Sequence, residues 1–298
     1  MNVLITGGLG FVARHVTAAV EKSGHSIRLL DRVNPEDATV FVPGKAERQH
    51  SPFKSKWPYV KAEITDLNAM RAACEGVDAV IHLAAATTGL PEHGKAIMEA
   101  NVIGTYVTLD AARMSGVKRF LCASSINAFG TIYWRLSGKA PVYDRMPLDE
   151  TFHCVPEDPY SLSKLVNEET CAAFHRAYGI ITAAFRFSGV RTNEDYEWLR
   201  KNMKPTTQWH DDLYTWVHVE DIASGVLAAL QAETLPGFGA YTLASPDTYC
   251  PEPTMEILRK FRPDLAKTVI EPLEGRETLM SIRRAQRTFG YAPKYRLD

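Results

Sequence analysis

Tyr160 and Lys164 stand four residues apart, a spacing that puts two side chains on one face of a helix. A phenol ordinarily ionises at about pH 10, too high to serve as a base at neutral pH. A neighbouring ammonium favours the phenolate. The pair therefore suits general acid/base work on a hydroxyl–carbonyl interconversion. A hydroxyl that holds the reacting oxygen is the natural third member. Ser125 follows an apolar run ending at Cys122, and ligands of open α/β sheets bind outside the carboxyl ends of strands. Ser124, beside it, competes for the role.

Such a site needs a scaffold, and the first two-thirds of the chain alternates short β-branched runs with helical stretches. That is the pattern of βαβ units and a parallel sheet. Val3 to Ile5, Ser26 to Leu30, Ala79 to Leu83, Arg119 to Cys122 and Ile181 to Phe187 read as strands. Helices are expected from about Gly10 to Ser23, Lys95 to Ser115 and Tyr160 to Tyr178, each closed by a glycine (Gly24, Gly116, Gly179). Beyond Gly189 the rhythm weakens. Val190 to Thr215 is polar without a clear period; Val217 to Gln231 reads as a strand end running into a helix. A short strand at Tyr241 to Leu243 and short helices at Pro253 to Phe261 and Ser281 to Phe289 complete the expectation. Residues 1–189 are thus expected to form a doubly wound Rossmann-type domain. Residues 190–298 are expected to form a small substrate cap, interleaved with the sheet through 215–245. The loops Arg32 to Trp57 and Thr131 to Asp158 are long enough to suggest function or mobility.

Between the first strand and first helix lies Thr6-Gly7-Gly8-Leu9-Gly10-Phe11-Val12-Ala13. Glycines there let the backbone turn tightly and approach a pyrophosphate, whose charge is welcomed at a helix N-terminus. Asp31 ends the second strand, where a carboxylate can accept bonds from adenosine ribose hydroxyls and repel a 2′-phosphate. NAD is therefore favoured over NADP, with Arg32 as the counter-argument, since a guanidinium next door could accept that phosphate. The positive charge of an oxidised nicotinamide would further favour a phenolate at Tyr160.

Composition narrows the partners. Lys and Arg number 34 against 35 Asp and Glu, a net charge of -1, so no basic excess exists to neutralise nucleic-acid phosphates. No run approaches a membrane span and no leader pattern is visible, which points to the cytoplasm. The 5 cysteines are odd in number, widely spaced and never in a CxxC pair. Buried free thiols are expected, and neither a disulfide framework nor a metal site.

Several further segments occur in one order with these: Asp66-Leu67, His82-Leu83-Ala84-Ala85, Asn101-Val102-Ile103-Gly104-Thr105, Ser124-Ser125, Tyr160-Ser161-Leu162-Ser163-Lys164, Arg186-Phe187 and Val217-His218-Val219-Glu220-Asp221. The ensemble resembles the extended short-chain dehydrogenases/reductases, in their NAD-dependent epimerase/dehydratase branch, over nearly the whole chain. The resemblance implies that Ser125, five before Gly130, is the catalytic hydroxyl beside Tyr160 and Lys164. It implies that Asp66 and Leu67 contact adenine, and that Leu83, Ala84 and Ala85 form the strand end passing the cofactor. Asn101 becomes a structural, cofactor-side asparagine; Lys164 also holds the nicotinamide ribose; Phe187 lines the nicotinamide pocket. His218 matches a structural position.

Two departures shape the expected activity. The branch's sugar dehydratases place Asp-Glu directly after the catalytic hydroxyl, whereas Ile126 and Asn127 stand here, so the acid that expels water is missing. Nucleotide-sugar epimerases usually carry a longer cap; the short Val190 to Thr215 resembles the uronate and related small-substrate dehydrogenases. A sugar, sugar acid or similar polyhydroxy substrate is expected, with a nucleotide-sugar (UDP-sugar) 4-epimerase holding NAD tightly as the alternative. Thr87, Ser125, Asn127, Ser188, Arg191 and Trp209 are the candidate substrate contacts, Arg191 as a bidentate anchor for a carboxylate or phosphate and Trp209 as a platform for a sugar ring. The helices at 95–115 and 160–178 resemble the pair through which the family dimerises. They carry apolar residues (Ile97, Ile103, Tyr106, Leu165, Phe174) beyond what one buried face needs, so a homodimer is expected.

Overall fold

Aliphatic runs bounded by glycine turns become strands of one sheet. The computed structural model describes residues 1–40, 49–132 and 135–297, so parts of both expected long loops (41–48 and 133–134) lie outside the described residues. Seven parallel strands, β1 (Asn2–Thr6), β2 (Ser26–Asp31), β3 (Tyr59–Lys61), β4 (Ala79–His82), β5 (Arg119–Ser125), β6 (Ile181–Phe187) and β7 (Phe238–Leu243), form the sheet. Their order is β7-β6-β5-β4-β1-β2-β3. The chain reverses its direction of travel after β3 and restarts on the other side of β1. The crevice outside the carboxyl ends of β1 and β4 is therefore the switch point where such sheets bind ligands.

Strand alternation sorts the core into two layers. Val3, Ile5 and Leu29 face α1 (Phe11–Lys22), which buries Ala13, Val16 and Val20 against them. Leu4, Leu30 and Phe120 face the other way, onto α2 (Leu67–Cys74), α3 (residues 94–114) and α4 (Pro159–Tyr178) through Met70, Leu109 and Phe174. The expected single helix at 95–115 is composite. Here α3 comprises Gly94–Ile97, a π-helical stretch Met98–Ile103, and Gly104–Met114.

Several elements beyond those expected are present, among them a strand and two helices. Strand β3 is three residues long and sits at the sheet edge, half-exposed. The helix α2 buries only Met70, Ala73 and Cys74. The segment expected to lack order contains α5 (Asn193–Asn202), which buries no residue at all and so shows no apolar period. Its order comes from a capping box, in which Thr192 and Asp195 exchange bonds.

Residues beyond 189 divide between sheet and cap. Helix α6 (Val219–Gln231) packs on α1, and β7 continues the sheet beside β6. Helices α5, α7 (Thr254–Phe261) and α8 (Pro263–Ala266) form the cap, whereas α9 (Arg283–Phe289) packs on α6 and β7. Residues 294–297 dock on α6 and on the stretch after β7: Asp221 accepts the N–H groups of Lys294 (2.8 Å) and Tyr295 (3.1 Å), and Asp247 accepts that of Leu297 (2.6 Å). Among the described residues no helix is long and apolar enough to cross a membrane. All five thiols are free, Cys154 half-buried and the others buried.

Two histidines are folded into this interior. His82 bridges Thr6 Oγ1 (2.8 Å) and Thr105 Oγ1 (3.1 Å), and burial, aided by the Lys164 charge, lowers its pKa to about 3. His218 stacks on Tyr295 with ring centroids 3.5 Å apart, and burial lowers it to about 4. Both stay neutral in the fold but accept a proton once unfolded. Their contribution is fully present above about pH 6.5 and is lost as pH falls from there, toward 4 for His218 and toward 3 for His82. The slope is up to about 1.4 kcal/mol per pH unit for each ring. Urea unfolding at neutral pH and near about pH 5 should differ accordingly; equal stabilities would refute the assignment.

Candidate active site

The glycine turn is shaped by contact with the next strand. Gly7 has φ +65°, and a Cβ there would lie 2.7 Å from Ala84 N and 2.9 Å from the Leu83 carbonyl carbon. A side chain would both strain the backbone and occupy the crevice. Gly10 donates its N–H to Gly7 O (2.9 Å) and offers no side chain to cap α1. The first-turn N–H groups around Phe11 and Val12 are thus left for an anionic ligand. Asp31 is aligned by two backbone donors, Leu9 N to Oδ2 (3.1 Å) and Arg32 N to Oδ1 (2.8 Å). Each oxygen keeps a lone pair for a ribose hydroxyl. Arg32 itself is exposed. Asp66 uses Oδ1 to cap α2 through Asn68 N and Ala69 N (both 3.0 Å), and Leu67 beside it is exposed. These residues fit a dinucleotide: a cradle that any Cβ would fill, followed by an oriented carboxylate at the end of β2.

Arg14, not singled out from the sequence, bolts this turn to the segment before β3. Its Nε donates to Leu9 O (3.1 Å), its Nη atoms to Ser51 Oγ (2.7 Å) and Ser51 O, and it lies 4.9 Å from the Phe53 ring centroid. A pocket of about 210 Å³ lies alongside, lined by Leu9, Leu29, Phe53, Trp57 and Tyr59 among others.

The reacting centre is built where β5, β6 and α4 converge. Asp158 caps α4, accepting the N–H groups of Tyr160 (2.9 Å) and Ser161 (3.0 Å), with Pro159 at the first position. Lys164, 2% exposed, donates from Nζ to Ala123 O (3.0 Å) and sits 5.5 Å from the Tyr160 ring centroid. Ser125 ends β5 in register with Phe187 at the end of β6. Its Oγ accepts the Asn127 N–H (3.2 Å), opening a 3-10 turn over Ile126–Phe129. That turn closes at Gly130, φ +74°, where a Cβ would come within 2.1 Å of the Val155 carbonyl carbon. The segment leading to Tyr160 therefore crosses directly over the segment leaving Ser125. Ser124 is used internally: its Oγ donates to Glu168 Oε1 (2.6 Å).

Asn101 locks the exit of β4. Fully buried in the π-helical stretch, it accepts Ala86 N (2.7 Å) and donates to Ala86 O (3.0 Å) and Ser163 Oγ (2.9 Å). Ser163 in turn donates to Tyr160 O (2.7 Å). Leu83, Ala84 and Ala85 run half-buried along this clamp toward exposed Thr87. A π-bulge at such a point is a frequent mark of a functional site.

The substrate candidates separate. Asn127 is buried beside Ser125. Ser188 is buried and turned into the cap, where its Oγ donates to Thr215 Oγ1 (2.8 Å). Arg191 lies 5.9 Å from the Tyr249 ring centroid and makes no ion pair among the described residues. Trp209 donates to Asp211 (2.8 Å), stacks under Arg262 (5.5 Å) and meets Tyr214 edge-on, contacts that belong to cap packing. A further feature lay beyond sequence reasoning: Leu213 and Tyr214 both have positive φ (56° and 54°), in a turn closed by Thr215 N to Asp212 O (3.1 Å). Neither residue type signals such a turn, which normally calls for Asn or Gly.

A family model, the NAD dependent epimerase/dehydratase family, matches residues 3–244. The chain belongs to that family. Among curated relatives, a 3 beta-hydroxysteroid dehydrogenase/Delta 5-->4-isomerase of Mycobacterium tuberculosis is 27% identical over 70% of this chain and 52% of its own length. A GDP-mannose 3,5-epimerase of Arabidopsis thaliana is 26% identical over 78% of this chain and 62% of its own. The chain thus spans about half to three-fifths of the length of these relatives. A UDP-glucose 4-epimerase of Cyamopsis tetragonoloba is 23% identical and is covered more fully, with 100% of this chain and 92% of that one aligned. The fold is shared with the UDP-glucose 4-epimerase of Thermotoga maritima, solved with UDP-glucose, at a TM-score of 0.68 and 22% identity over 99% of this chain and 94% of that one. It is shared equally with a short-chain dehydrogenase/reductase superfamily protein of Agrobacterium tumefaciens with bound NAD, at 0.70 and 21% over 100% and 94%. The family's NAD dependence agrees with the glycine cradle and Asp31. Substituting Gly7→Ala should weaken NAD binding at least about a hundredfold, since roughly 3 kcal/mol of strain and clash enters the crevice; an unchanged calorimetric affinity would rule out the cradle.

Proposed function

We propose that this chain is an NAD-dependent oxidoreductase acting at a secondary carbinol of a sugar, sugar acid or similar small polyhydroxy compound. The observation that carries the reading is the placement of Lys164 Nζ, buried and 5.5 Å from the Tyr160 ring, next to the strand end that presents Ser125. NAD, when bound, supplies the hydride acceptor. Gly7, Gly10 and the start of α1 would hold its pyrophosphate, Asp31 a ribose, Asp66 and Leu67 its adenine, and Leu83 to Ala85 with Asn101 its passage along β4. Phe187 would wall the nicotinamide pocket, and Lys164 would hold the adjoining ribose.

In this scheme Ser125 Oγ bonds the substrate oxygen while Tyr160 takes its proton. The Lys164 ammonium stabilises the phenolate form that makes the transfer possible. Ile126 and Asn127 offer no carboxylate to a leaving hydroxyl, and both are buried, so dehydration lacks its acid. The short 190–215 stretch favours a small substrate over a long nucleotide. Residues 1–189 serve as cofactor domain and 190–298 as the substrate side, and the cytoplasm is the proposed location.

A second reading is a nucleotide-sugar 4-epimerase, favoured by the whole-length match to a relative described as a UDP-glucose 4-epimerase. The two readings separate in one assay. Incubation with NAD and a panel of sugars, uronates and polyols should raise the absorbance of NADH, and Tyr160→Phe should lower that rate by about a thousandfold while keeping NAD affinity. Silence across the panel, combined with retained NAD and a melting temperature raised by UDP, would replace the first reading by the second.

The chain is also proposed to act as a homodimer through α3 and α4. Ile97 and Phe174 are spent inside the fold, but Ile103 (51%), Tyr106 (53%), Leu162 (42%) and Tyr178 (57%) remain exposed on these two helices. Light scattering should give twice the chain mass, and Tyr106→Glu should halve it; a monomeric wild type would exclude the dimer.

A further inference from the structure

Directly behind the reacting centre lies an ion pair that takes no part in the scheme above. Glu168 and Arg186 are each 4% exposed and joined at 2.7 Å. Both carboxylate oxygens are used: Oε1 accepts Ser124 Oγ (2.6 Å) and Arg186 Nε (2.9 Å), and Oε2 accepts Arg186 Nη2. Arg186 also lies 4.4 Å from the Phe129 ring centroid and donates to Cys154 Sγ (3.4 Å).

The pair and the residues it touches are tied along the chain to the reacting groups. Tyr160, Lys164 and Glu168 follow one another at intervals of four on α4, one face of one helix. Ser124 immediately precedes Ser125, and Arg186 immediately precedes Phe187. Phe129 ends the turn that Ser125 opens, and Cys154 lies on the stretch that crosses Gly130 on its way to Tyr160. Removing two charges from water is costly, and a packed apolar pair would fill the same space without that cost. What charge adds is direction: fixed bonds to three elements at once, and a field that cancels only while both partners are present.

We propose that Glu168 and Arg186 are the positioning residues of the reacting centre, holding β5, β6 and α4 in register and, through their balanced charges, setting the field in which Tyr160 exchanges its proton. The proposal rests on Tyr160 being the proton-exchanging group. Other ionisable groups around Tyr160 and Lys164 are Asp158 at the head of α4, Glu157 with its partner Arg135, His82 on β4, Cys122 on β5, Cys154, and Cys171 on α4. Of these, Cys154 takes a bond from Arg186, and Cys122, Cys154 and Cys171 feel the Glu168 charge, so the readout is confined to the tyrosinate signal.

The test reads tyrosinate absorbance in the NAD-loaded protein, taken as the signal lost on Tyr160→Phe in each background, and needs no substrate. Glu168→Gln strands the Arg186 charge and should lower the Tyr160 midpoint; Arg186→Gln strands the Glu168 charge and should raise it, each by about half a unit or more. The double variant Glu168→Gln with Arg186→Gln should return close to the wild type. A merely structural pair has no reason to produce shifts of opposite sign that cancel. Shifts in the same direction, or none while NAD still binds, overturn the proposal. If a single variant fails to fold, Ser124→Ala strips one donor from Glu168 with both charges kept, and should raise the midpoint by a smaller amount; an unmoved midpoint there overturns it equally. Failure of the underlying reading looks different: Tyr160→Phe would then leave NADH formation on the substrate panel unchanged.

Discussion

The molecule depends on two backbones touching where a side chain is forbidden. The exit of β4 passes so close to the turn after β1 that a methyl group at Gly7 would overlap Ala84. Because the sheet order places β1 and β4 side by side yet far apart in sequence, this contact closes the crevice at the point where the two halves of the sheet diverge. The open start of α1, the oriented Asp31 and the clamp of Asn101 on Ala86 all take their positions from that junction.

From the junction outward, order is transmitted by polar groups rather than by the apolar layers. Asn101 joins the β4 exit to Ser163, and Ser163 to the carbonyl of Tyr160. Lys164 reaches back to the β5 carbonyl at Ala123, and Ser124 reaches forward to Glu168. All of these bonds except Ser163 to Tyr160, which lies within α4, run between different elements, so the reacting centre inherits the rigidity of the whole sheet edge. Buried polar networks of this kind are stabilising only when nearly every member is satisfied. The unpartnered Nη1 of Arg186 is the exception here.

Legibility in the sequence followed the physics of each element. Strands buried on both faces and helices with one apolar stripe announce themselves, which is why β6 was read residue for residue and α1 and α4 nearly so. The edge strand β3 and the helix α5, whose Tyr196, Trp198 and Leu199 stand among charged residues and are not buried, carry no such stripe and were missed. The π-helical insertion in α3 leaves the apolar spacing almost intact, so nothing in the residue pattern marked it. At the site, the residue types of Gly7, Asp31, Ser125, Tyr160 and Lys164 by themselves suggested the chemistry proposed for them. Arg14, Glu168 and Arg186 did not, because their importance lies in which partners the fold brings to them. Ser188, after a strand end, and Trp209, in the cap, were read from polar or aromatic character as substrate contacts, and the fold gives each an internal hydrogen-bond partner besides, Thr215 and Asp211.

The docking of residues 294–297 ties two separate elements to one short stretch. Asp221 on α6 accepts the N–H groups of Lys294 and Tyr295, and Asp247, in the stretch after β7, accepts that of Leu297. Both carboxylates are buried. Each would lose donors it cannot replace if this stretch came away, so the helix that packs on α1 and the exit of the last strand are held, and loosened, together.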